Sequence, residues 1–219
     1  GKSDQLPGFH SMESYIPYLS GFIRKLGLDN FILVGGSMGA VLSILLARKN
    51  PEKIKKIVLI GPIYDKNSFR IPRFKLVPCL LLLSLFPKSG ALVRLFDHFI
   101  KSDRFFRPFL KRRFPKEERT PQVLDYEVRQ WRVMPIKVWA QTLYSLLTFS
   151  HKSERKIKIP IFLVFPENDQ YINISKTVKS FKKVFPENGI VFLKNLVHVP
   201  KGEISESFLN KFQHIFDKL

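Results

Sequence analysis

Cysteine is almost missing from this 219-residue chain: Cys79 stands alone, so no intramolecular disulfide can form. No Cys/His cluster has the spacing of a zinc or iron–sulfur centre, so no metal and no other cofactor is expected, and redox chemistry has no support. Long apolar runs are also missing. The longest, residues 76–86, is eleven residues long and includes Pro78, well short of the roughly 20 that span a bilayer, and is expected to form a buried helix. Acidic residues are scarce, 18 Asp and Glu against 37 Lys and Arg, for a net charge of +19. The excess is concentrated in residues 65–159, where 21 Lys and Arg face 8 Asp and Glu and carry +13 of the total. These charges are scattered among apolar helical residues and do not form a compact basic tail. They read first as a solvated, lysine-rich surface and second as a peripheral contact between a basic cap and a membrane. No nucleic-acid-reading motif accompanies them, so no nucleic-acid partner is expected. An initiator methionine is missing too. The chain opens on Gly1, with turn chemistry and no hydrophobic strand before it, so an upstream segment is expected and the absence of a targeting signal carries no information about compartment.

What is present is a core. At 45% hydrophobic residues, a chain of this length buries one sizeable core, which favours one domain plus insertions. Residues 31–35, 56–61, 161–165 and 190–193 are short apolar runs bounded by Gly, Pro or Asn. They read as strands buried on both faces, the signature of a parallel sheet. Helical patterns separate them. One covers residues 38–49 and stops before Pro51, because proline disfavours helix in the residue before it. Another carries the stripe Ile174, Val178, Phe181 and Phe185, with Asn173 as N-cap and Pro186 as its stop. Phe208, Phe212, Ile215 and Phe216 define a last helix. Alternation of this kind predicts an α/β fold with right-handed crossovers. Almost a hundred residues between the second and third strands carry no buried-strand pattern. That is too long for a loop. This interval contains helical stretches, one started by Thr120 with Pro121 at its first position and another opened by Pro135, and it reads as an inserted helical cap.

Directly after the first strand comes Gly35-Gly36-Ser37-Met38-Gly39, a GxSxG between a strand and a helix. A serine at such a turn projects its hydroxyl above the sheet, and large side chains at Gly35 and Gly39 are expected to collide with neighbouring backbone. The helix that follows aims its N-terminal N–H groups at the same spot, which makes the Met38 N–H a candidate oxyanion donor. A serine hydroxyl needs a base to become nucleophilic at neutral pH. Of the five histidines, His98 and His151 fall in the cap, His214 in the last helix and His10 in the opening turn. His198 follows the last strand, on the carboxyl edge of the sheet where Ser37 also sits and where parallel sheets place their sites. The base needs an acid to fix its tautomer. Asp169, after the third strand, is the preferred candidate, with Glu167 beside it and Asp65 after the second strand as alternatives.

These residues resemble the α/β-hydrolase family over nearly the whole chain. The order Ser37, Asp169, His198 is similar to the family's order of nucleophile, acid and histidine. Segment 28–40, LDNFILVGGSMGA, resembles the family's nucleophile strand and elbow. Leu6-Pro7-Gly8-Phe9 resembles the turn after its fourth strand, with residues 11–26 as the next helix, and His198-Val199-Pro200 with Glu203 is similar to its histidine loop. Val197 departs from the glycine that commonly precedes that histidine. The resemblance implies an α/β-hydrolase sheet over residues 1–64 and 156–219, with a helical cap or lid over 65–155. It also implies that the family's first three strands lie upstream of Gly1, together with the loop that supplies a second oxyanion donor. Loss of one such donor typically costs about 10² to 10³ in turnover. Strand 31–35 would then be an unpaired hydrophobic edge and an association site. The implied activity is that of a serine hydrolase cleaving an ester or related acyl bond through an acyl-enzyme, on a small-molecule substrate with an apolar moiety. A non-catalytic binding module of the same fold, or a fragment inactive by itself, is the second reading.

Overall fold

In the computed structural model the four apolar segments pair into one parallel sheet in the order β1-β2-β3-β4: β1 (Phe31–Gly36), β2 (Ile54–Ile60), β3 (Ile161–Pro166) and β4 (Asn188–Leu193). The structure describes residues 4–114, 116, 119–151, 156–167, 169–185, 188–194, 198, 206 and 210. The register places Val34 beside Val58, Val58 beside Phe162 and Val164 beside Val191.

The two central strands are as buried as their sequences require. Ile57, Val58 and Leu59 of β2 and Ile161, Leu163, Val164 and Phe165 of β3 have no exposure. β1 departs from the expectation of burial on both faces. Helices α1 (Ile16–Lys25) and α2 (Met38–Lys49) pack on the face that carries Phe31 and Leu33, whereas Ile32 and Val34 point the other way and are exposed. Among the described residues β1 pairs with β2 alone, so it is an edge strand.

Helix α2 buries Ala40, Val41, Ile44 and Ala47 completely against the sheet, and Asn50 and Pro51 end it. Helix α8 (Ile174–Val184) starts at Asn173, whose side-chain oxygen accepts the Lys176 N–H at 3.1 Å, and it buries Phe181 and Val184. Pro186 and the stripe Phe208, Phe212, Ile215 and Phe216 lie outside the described residues.

Helices fill the interval between β2 and β3: α3 (Arg73–Leu85), α4 (Gly90–Lys101), α5 (Asp103–Arg113), α6 (Pro121–Val133) and α7 (Ile136–Thr148). Thr120 caps α6 by accepting the Val123 N–H at 3.3 Å. The apolar run 76–86 is helical but not buried as expected. Leu83 and Phe86 are buried while Val77, Leu81, Leu82 and Leu85, with Phe74 just before the run, face water, because the helix holds more apolar residues than one face can cover.

Two compact units can be distinguished. One, Asp4–Gly90 with Lys137–Val199, carries the sheet. The other includes Ala91–Ile136, where Phe106 packs against Phe99, Phe109 and Trp131, and where Arg107 pairs with Asp125 and Arg132 with Asp103. Among the described residues no single helix is long and apolar enough to cross a membrane.

Candidate active site

Three parallel strands end on one edge of the sheet, and each delivers one part of a site. β1 runs into Ser37, which adopts φ 48° and ψ −110°, a conformation rare for a residue with a side chain. The turn is held on both sides: the Ser37 N–H donates to the Ile60 carbonyl at 2.9 Å, and the Ser37 carbonyl accepts the Ala40 N–H at 3.0 Å. Gly35 is what lets the turn close. A Cβ there would stand 2.3 Å from Ser43 Oγ and 2.4 Å from the Gly39 carbonyl oxygen, so no other residue fits. Gly39 corrects the expectation of a second collision, since a Cβ at this position meets nothing within 4 Å outside its own helix. The crowding at Gly35 comes from the Ser43 hydroxyl and the Gly39 backbone. Met38 opens α2, and its N–H is one of the donors that a helix N-terminus leaves without an intrahelical acceptor.

β3 leads to Asp169, whose side chain is fully buried. Its Oδ1 accepts two backbone N–H groups, from Tyr171 and Ile172, each at 2.9 Å. Its Oδ2 lies 2.7 Å from His198 Nδ1. Burial pushes the Asp169 carboxyl up, but the hydrogen bond and charge of His198, with the two backbone donors, outweigh it and hold the group below the usual carboxylate range. Asp169 is therefore an anion that can only accept. His198 therefore donates its Nδ1–H to Asp169 Oδ2, and in the neutral imidazole Nε2 is then the acceptor, 3.1 Å from Ser37 Oγ. The three side chains read from the sequence as nucleophile, acid and base thus form one continuous hydrogen-bonded line.

Neither alternative acid is hydrogen-bonded to a histidine among the described residues. Asp65 caps a short turn by accepting the Asn67 N–H at 2.8 Å, and Glu167 is exposed. The other histidines are placed as follows. His10 is buried with Nδ1 3.1 Å from the Tyr15 hydroxyl, and His98 is exposed. His151 is buried against Tyr64 and Phe149, with Arg48 donating to its Nδ1 at 3.3 Å. Burial, then the Arg48 charge, push its imidazole down to about 3. His214, Val197, Val199, Pro200 and Glu203 lie outside the described residues.

Two neighbours escaped the sequence reading. Gly61, directly after β2, has φ +52°, and a Cβ there would stand 2.8 Å from both Cε1 and Nδ1 of His198. A glycine closing a strand at the carboxyl edge was the available signal. Tyr171 places its ring 5.4 Å from the His198 ring, a contact that only the fold makes visible. Among the described residues no group of three or more His, Cys, Asp or Glu stands together as a metal site would require.

The family model described as "Serine aminopeptidase, S33" matches residues 1–203. Lipase 1 of Psychrobacter immobilis is 26% identical over 198 residues, which cover 87% of this chain and 57% of that protein. The chain spans 57% of the length of the curated relatives that match it over most of its residues. Among solved structures, a hydrolase from Pseudomonas aeruginosa PA01 matches all of this chain and 75% of its own, with TM-score 0.68 and 14% identity. A thermophilic esterase from Thermogutta terrifontis matches over the same shares, with TM-score 0.66 and 16% identity.

Proposed function

The chain belongs to the S33 serine aminopeptidase family and has the α/β-hydrolase fold, and from that premise we propose that it serves a serine hydrolase that cleaves carboxylic esters through an acyl-enzyme. The observation that carries the proposal is the single line from Asp169 through His198 to Ser37, with separations of 2.7 and 3.1 Å. In this reading His198 Nε2 takes the Ser37 hydroxyl proton as Oγ adds to the substrate carbonyl, and Asp169 stabilises the imidazolium that results. The negative charge that develops on the carbonyl oxygen is met by the Met38 N–H at the head of α2. His198 then gives its proton to the departing alkoxide. A water molecule activated by the same nitrogen releases the acid and restores Ser37.

Amide and ester cleavage share this chemistry, so the choice between them rests on the relative: Lipase 1, 26% identical, supports an ester. The helical interval 65–155 is proposed as the cap. That Ala91–Ile136 includes a compact helical unit of its own supports an insertion, and its Phe and Leu content supports a substrate with an apolar moiety.

The test is hydrolysis of 4-nitrophenyl esters of graded acyl length beside an aminoacyl 4-nitroanilide. Ester cleavage is expected to exceed amide cleavage, and Ser37→Ala to lower kcat by about 10⁴-fold or more. Equal turnover by wild type and Ser37→Ala contradicts the mechanism, and preference for the anilide contradicts the substrate class.

A further inference from the structure

We propose that the outward face of α3 docks this protein onto an anionic lipid surface. Phe74, Val77, Leu81 and Leu85 repeat at helical spacing with Leu82 beside them, so they form one stripe along the helix. Their exposures are 74%, 67%, 60%, 51% and, for Leu82, 57%. Single exposed apolar residues are ordinary on a protein surface, but a continuous stripe of this kind marks an interaction site. The opposite face is anchored by Leu83, at 6% exposure, so the helix is fixed with its stripe turned outward. At 13 residues α3 is roughly 20 Å long, too short to cross a bilayer about 30 Å thick, so it would lie in the plane of the interface.

Charge selects the occupant. Residues 66–96 contain six Lys and Arg and no Asp or Glu, so nothing acidic in the helix or its flanks repels a negative surface. The Lys75 ammonium lies 5.7 Å from the Phe74 ring, at the rim of the stripe, where it can reach headgroups while Phe74 sits deeper. At the C-terminal end of α3 an open cavity of about 540 Å³ includes Lys88, Lys137 and Tyr144 in its lining and, among the described residues, no carboxylate. Ammonium and hydroxyl donors with no competing acid suit a phosphate headgroup. An apolar, Leu-rich face edged by cations of one sign is the pattern of a helix lying on anionic lipid. Protein contact hot spots favour Trp, Tyr and Arg over Leu. This docking is separate from the reaction proposed at Ser37, and each stands or falls without the other.

The experiment is sedimentation of the full chain with phosphatidylcholine vesicles, with and without about one-third phosphatidylglycerol, at low and high salt. Binding is expected to the anionic vesicles, at least about tenfold stronger than to the neutral ones, and to weaken several-fold at high salt as the screening length shortens. The double variant Leu81→Ser/Leu85→Ser, with its melting temperature as the check on folding, should lose most of that binding. In a second variant, Phe74→Trp, the new indole should be quenched by lipid brominated in its acyl chains. Three results would overturn the proposal: no binding to anionic vesicles, equal binding to neutral ones, or an indole that stays unquenched in the bound Phe74→Trp variant. A dimer in solution that the double variant dissociates would also overturn it, assigning the stripe to a second copy of the chain.

Discussion

Single residues decide whether the line of hydrogen bonds can form. Ser37, Asp169 and His198 were legible because each follows a strand and all three fall on one edge of the sheet, in a chain order that a motif reader can recognise. Gly61 was not, because its importance lies in a contact with a residue 137 positions away in sequence. Its positive φ and the 2.8 Å approach to His198 make a definite prediction for Gly61→Ala. The new Cβ must displace the imidazole from its place between Asp169 and Ser37, and a displacement of about 1 Å at a reacting group can cost about 10²-fold in rate. Steady-state kinetics on a 4-nitrophenyl ester should show kcat reduced by about that factor with KM little changed, and the left-handed φ should lower the melting temperature by a few degrees. A variant with unaltered kcat would show that Gly61 does not set the position of His198. Gly39 teaches the converse. The sequence pattern suggests that both outer glycines of the turn are crowded, yet the crowding falls on Gly35, from Ser43 Oγ and the backbone of Gly39, and no pattern of letters distinguishes the two.

At the scale of elements, periodicity did most of the work and failed where burial depends on neighbours. β2 and β3 read as buried on both faces and are, because strands and helices flank them. β1 has the same apolar composition but only one covered face, which leaves Ile32 and Val34 exposed. α3 shows the same limit in a helix. Its position was legible from an apolar run, but its burial was not, since a run that is apolar on all sides looks the same whether it sits in a core or lies on a surface. The N-caps at Asn173 and Thr120 are legible in the sequence, because an N-cap bond is made within three residues and needs no tertiary context. The helices of the interval 65–155 were foreseen as helices, whereas the packing of Phe106 on Phe99 and Trp131 was not, being a product of how α4, α5 and α6 assemble.

For the whole molecule, stability is tied to pH through a residue outside the proposed chemistry. His151 sits in the core with Arg48 donating to its Nδ1, and Arg can only donate, so the folded protein holds this imidazole neutral. In the unfolded chain it protonates near 6.5, and in the folded one only near 3. Between 6.5 and about 3 the unfolded state therefore binds up to one more proton than the folded state. The contribution is fully present above 6.5 and is lost progressively toward 3, at about 1.4 kcal/mol per pH unit. Asp169 acts in the same direction further down: held below the usual carboxylate range, it stabilises the fold above that range and ceases to do so as pH falls through its own lowered value. Denaturant unfolding between pH 7 and pH 4 should show stability falling with acidification, and His151→Asn, which keeps an acceptor for Arg48, should flatten the slope. An identical slope in the variant would remove His151 from the account.

The central claim, that Ser37 is a nucleophile activated through His198 by Asp169, is tested most directly by intact-mass spectrometry after treatment with a fluorophosphonate. One covalent adduct is expected, mapped by peptide digestion to Ser37 and absent from Ser37→Ala and His198→Ala. Folded wild-type protein that remains unmodified, or an adduct that persists in Ser37→Ala, would contradict it.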